Sequence, residues 1–178
     1  REKYVAHVTR MLQFLGDSEA EAAKKAEKIL AFETALAQPR LDKVERRDAR
    51  KTYNPMTVAE LQKKVPGFDW NAYLSSIGAA SADTIIVSQP KYMETFQKTL
   101  SANNVEDWKE YLRWTLLNDA AAMLTTDIER ANWEFYEQTL TGAKEQLPRN
   151  ERALATINQT IGEALGKLYV EKHFPAEA

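Results

Sequence analysis

PRNERALATINQTIGEALGKLYVEKHF, residues 148 to 174, decides how the rest of the chain is read. Leu154, Ile157, Ile161, Leu165 and Leu168 advance by three, four, four and three, so they fall along one side of an α-helix and predict a core-facing stripe. Pro148 suits a first turn, where a missing N–H costs nothing, and Pro175 disfavours helical geometry at Phe174. Both ends are therefore written in the chain. Gly162 and Gly166 lie one turn apart, and each is about 1 kcal/mol worse than Ala inside a helix. A close backbone neighbour would offset that cost, and the stretch between Val105 and Leu140 is the expected neighbour. The stretch reads as a long, buried brace.

Helical punctuation continues through the rest of the chain. Val5, Val8, Leu12 and Leu15 predict a helix over residues 1 to 15, stopped by Gly16. Ser18 and Glu21 write a capping box for a second helix, which turns Ala22, Ile29, Phe32 and Leu36 inward and ends before Pro39. Its Lys24, Lys25, Glu27 and Lys28 read as a solvated face, and the two helices predict a hairpin. From Arg40 to Lys51, nine of twelve residues are charged with mixed signs, the pattern of a solvated connection laced with ion pairs rather than of a binding patch.

Thr57 with Glu60 repeats the capping box for a short helix stopped by Pro66-Gly67, and Asp69 caps another that carries Trp70 and Tyr73 as core anchors and closes at Gly78. Thr84 to Val87, TIIV, is the one β-branched run, a short strand that needs a partner elsewhere. Pro90 opens a helix with Tyr92, Phe96 and Leu100 inward, ending near Asn103-Asn104. Val105 begins the longest helical stretch, with Trp108, Tyr111, Leu112, Leu116 and Met123 as its apolar side. Thr125, Thr126 and Asp127 predict a break before Trp133, Phe135 and Tyr136, and Gly142 ends the stretch near Leu140. The fold class is mainly α, one helical domain over residues 1–178, with at most a short β element near Thr84 to Val87.

Composition removes several functions. The 24 basic and 26 acidic residues leave a net charge of -2, too little field to hold nucleic acid or an anionic membrane. No apolar run reaches the roughly 18 residues a membrane helix needs. Cysteine is absent, which excludes disulfide and thiolate chemistry. The chain starts at Arg1, without Met and inside a helical pattern, so it is expected to be cut from a longer protein.

A zinc peptidase of the H-E-x-x-H type grips its metal with two histidines one helical turn apart. That motif is absent; His7 and His173, the two histidines present, lie near opposite ends, and neither has a second histidine at helical spacing. His173 reads as a helix-end residue interacting with terminal carbonyls. Trp108, Tyr111 and Trp114 have helical spacing and read as core rather than as a ligand cage. No catalytic, cofactor-binding or metal residue is assigned.

One resemblance runs through these elements. Tyr53 to Trp70 (YNPMTVAELQKKVPGFDW), Ile85 to Tyr92 (IIVSQPKY), Trp108 to Trp114 (WKEYLRW) and Ile157 to Phe174 (INQTIGEALGKLYVEKHF) resemble, in the same order, segments of the neprilysin family of zinc metalloendopeptidases, which includes endothelin-converting enzyme and bacterial endopeptidase O. The resemblance implies the non-catalytic helical domain that covers the catalytic cleft and selects peptide substrates by size. It places the zinc ligands, catalytic glutamate and substrate-holding arginine downstream of Ala178, and an early glycine-tryptophan segment upstream of Arg1. Zinc then belongs to the parent enzyme and not to these residues. The implied partners are the catalytic domain of the same chain and the peptide substrates. Ala153 stands where eukaryotic members carry cysteine, so the resemblance points to a bacterial member; localisation is not legible in these residues, and the resemblance favours an extracytoplasmic one. Asn71-Ala72-Tyr73 matches the family's substrate-binding Asn-Ala-aromatic motif only by its letters, because it follows a helix cap and not an extended edge. The alternative is a self-contained helical interaction module using the charged surface around Arg46 and Arg47.

Overall fold

The computed structural model describes residues 1–174. It divides into two units, Arg1–Asn132 and Trp133 onward.

The first unit opens with the expected hairpin, α1 (Glu2–Gln13) and α2 (Glu19–Ala37). Gly16 turns the chain at φ +95°, a conformation that L side chains rarely adopt. Both halves of the next capping box are present: Glu21 N–H donates to Ser18 Oγ at 3.4 Å, and Ser18 N–H donates to Glu21 Oε2 at 3.3 Å. Against this hairpin packs α7 (Val105–Ala120), which presents Trp114, Leu117 and the following Ala121 to Val8, Met11, Leu12, Ala22, Ala26 and Ile29. Trp114 sits at the centre, 2% exposed, with the rings of Tyr4 and His7 edge-on at 6.1 and 5.8 Å. Its indole Nε1–H donates to Glu33 Oε1 at 3.2 Å, and the Tyr4 hydroxyl donates to Glu33 Oε2. One carboxylate on α2 thus ties α1 to α7.

Arg40 to Lys51 forms a 3-10 turn (Glu45–Arg47) leading into α3 (Ala49–Thr52), with a Lys51–Glu45 ion pair at 2.8 Å. The strand partner of β2 (Thr84–Ile86) is β1 (Pro55–Thr57), antiparallel with Met56 opposite Ile85. α4 (Val58–Lys64) starts at the Thr57–Glu60 capping box, and α5 (Trp70–Ser76) at Asp69, whose carboxylate accepts from Ala72 N–H at 2.9 Å. With α6 (Pro90–Ala102) these elements enclose a second core of Leu61, Val65, Trp70 and Val87, flanked by Phe68, Met93, Phe96 and Leu100. Trp108 joins the two cores, its ring 4.6 Å from Phe32 and 6.0 Å from Phe96.

Several inward assignments change. Leu112, Leu116 and Met123 are exposed, and the buried positions are Trp114 and Leu117 of α7 and the following Ala121. The apolar side of α7 is wide enough to hold two stripes, and the large rings choose between them. Tyr73 is half exposed at the edge of Phe68 and Trp70 rather than anchored in the core. The helix also breaks earlier than expected, into a 3-10 turn at Ala121–Met123, before α8 (Thr126–Trp133).

In the second unit, Glu134–Thr139 forms a π-helical turn with Phe135 buried against the edge of Tyr136. α9 (Arg149–His173) runs the full expected length, with Phe174 extended after it, while Pro175 lies outside the described residues. It is not buried. Leu154, Ile157, Ile161, Leu165 and Leu168 are between 36% and 63% exposed, and the helix kinks at Ile161 (φ -129°, ψ 34°). Within the second unit, a Cβ added at Gly166 would meet open space and one at Gly162 only the Asn158 side chain, so no element of that unit closes on these glycines. Periodicity reports that one face is apolar; it carries no information about what covers that face.

Glu33→Ala removes the acceptor from the buried Trp114 indole and is expected to cost about 1 to 3 kcal/mol, with Glu33→Gln costing less because it keeps an acceptor oxygen. Urea unfolding of the two variants measures this; an Ala variant as stable as the parent would show that the tie is not structural.

Candidate functional site

The residues that the sequence offered for chemistry are occupied structurally. His7 is buried in α1 against Trp114, and His173 in the last turn of α9 lies tilted against Tyr169 with ring centres 4.6 Å apart. Burial first, and the nearby Arg10 charge second, push the His7 pKa from 6.5 down to about 4, so its imidazole is neutral at neutral pH. Among the described residues, no three of His, Cys, Asp and Glu gather where they could hold a metal ion. Asn71-Ala72-Tyr73 lies inside α5, where its backbone is committed to the helix and offers no edge to a peptide.

Trp108, Tyr111 and Trp114 close on protein rather than on an open cage: Trp108 and Tyr111 bracket Phe32, and Trp114 fills the first core.

A concave surface does exist in the first unit. α2, α6 and α7 border a groove of about 790 Å³, floored by Ile29, Phe32 and Tyr111. Its walls are small or polar: Ala31 and Ala35 from α2, Thr95, Thr99 and Ala102 from α6. Lys24, Lys25, Lys28 and Lys98 stand on its lining with Glu21, Glu106, Asp107 and Glu110. Most of these charges are already engaged. Lys25 bridges Asp17 at 3.0 Å and Glu110 at 3.3 Å, Lys28 reaches Asp107 at 3.2 Å, and Glu106 holds Lys109 at 2.7 Å.

Asp17 is not in the lining but holds Lys25, which is. Burial pushes its carboxyl up, but hydrogen bonds from Lys25 and from Arg113, the latter at 3.3 Å, together outweigh that and hold it below 3.8. Arg113 also donates to the Leu15 carbonyl at 3.0 Å, so this ion cluster locks the turn between α1 and α2 onto α7. The groove escaped the sequence reading because Lys24 and Lys28 looked like an ordinary wet face. The available signal was the run of small residues at helical spacing, Ala31 with Ala35 and Thr95 with Thr99.

Comparison with known proteins gives a consistent result. The sequence matches the family model described as Peptidase family M13 over residues 1–178. Human endothelin-converting enzyme 1 is 26% identical over 98% of this chain and 23% of its own length, and the rat enzyme 24% identical over 98% and 24%. The open-state structure of the zinc metalloprotease Zmp1 of Mycobacterium tuberculosis superposes with a TM-score of 0.92 at 39% identity, covering 98% of this chain and 27% of that one. Its inhibitor complex gives 0.92 as well. The chain spans about a quarter of the length of these relatives.

The low pKa of His7 sets a pH dependence. Unfolded His7 takes up a proton near pH 6.5 and native His7 only near 4, so between these values the unfolded state binds more protons and stability falls as pH drops. The loss spans about 3 kcal/mol at most and levels off below pH 4. Asp17 acts in a separate, lower window: its contribution is complete above pH 3.8 and is lost as pH falls through its lowered native value. Urea unfolding across pH 4 to 6.5 should show a slope that His7→Gln flattens; an unchanged slope in the variant would assign it to other groups.

Proposed function

The chain belongs to Peptidase family M13, and from that membership we propose that it is the non-catalytic helical domain of a zinc metalloendopeptidase, covering the active-site cleft and limiting which peptides enter. The supporting observation is the coextensive match: the whole chain corresponds to one part of relatives about four times its length. Zinc does not fit the described residues, which gather no ligand set, so no step of peptide hydrolysis is assigned to them. Their contribution is steric. A rigid wall over a cleft restricts substrates by size and excludes bulk water from the reacting groups.

The surface that would join the wall to the catalytic part is the exposed stripe of α9. Five large aliphatic side chains at helical spacing, with Gly162 and Gly166 beside them, suit close packing against another element. In the longer protein this stripe becomes buried, and the glycines then have the close neighbour that they lack here.

The 178-residue chain alone is expected to cleave no peptide and to retain no stoichiometric zinc after dialysis; one tightly held zinc per chain would overturn the reading. Gly166→Ala separates the two contexts. In the isolated chain it should stabilise by about 1 kcal/mol, because the added methyl meets open space and Ala is the better helix former. In the longer protein it should destabilise by about 1 to 3 kcal/mol through overpacking. There, Leu165→Glu with Leu168→Glu should narrow the difference in cleavage rate between short peptides and a folded protein substrate. Equal stabilisation by Gly166→Ala in both contexts, or size selection unmoved by the double variant, counts against the seam.

A further inference from the structure

We draw no further inference here: the strongest candidate, the groove between α2, α6 and α7 floored by Ile29, Phe32 and Tyr111, has a lining of four lysines balanced by four carboxylates, and nothing in the structure shows what covers it.

Discussion

Glu33 accepts two hydrogen bonds at once, from the Tyr4 hydroxyl and the Trp114 indole, and the meeting of α1, α2 and α7 depends on that arrangement. Burying a large side chain stabilises by about 1.5 to 3 kcal/mol, but a tryptophan carries a donor that must find an acceptor or forfeit much of the gain. Placing the acceptor on the middle helix solves this and fixes register as well, because only one alignment of α7 on the hairpin brings the indole to the carboxylate. The ion cluster of Asp17, Lys25, Glu110 and Arg113 repeats the solution at the other end of the same contact. Between these two polar ties the apolar residues need only be of suitable size.

From there the structure extends by aromatic contact. Phe32 leaves the first core, Trp108 takes up its ring, and Phe96 hands the contact to the second core around Leu61 and Trp70. The groove lies where this chain of rings passes beneath two helices whose outer residues are small.

Features governed by neighbouring residues were legible in the sequence. The Ser18–Glu21 and Thr57–Glu60 capping boxes, the Asp69 cap and the stop at Gly16 formed where their spacing placed them, because a cap is complete within one turn of chain. Features that need a distant partner were only half legible. TIIV was recognisable as a strand, while its pairing with Pro55–Thr57, whose letters carry no β signal, came from tertiary placement. Met11 and Leu117 are buried although neither was singled out, and Leu116 is exposed although it was, since a helix with apolar residues on more than one side does not declare which side wins. The apolar face of α9 was legible as a face, and no element of its own unit covers it.

The tie between α1 and α7 also has a consequence in time. Asp17 and Arg113 are 96 residues apart, and Tyr4 and Trp114 are separated by a similar length of chain. On a ribosome adding about 5 to 20 residues per second, the finished α1–α2 hairpin therefore waits roughly 4 to 17 s before α7 emerges to cover it. During that interval Val8, Met11 and Leu12 have half of their native surroundings, and the Glu33 carboxylate faces water. The nascent hairpin thus offers a chaperone apolar surface to bind during that interval, and the arrival of Trp114 covers it.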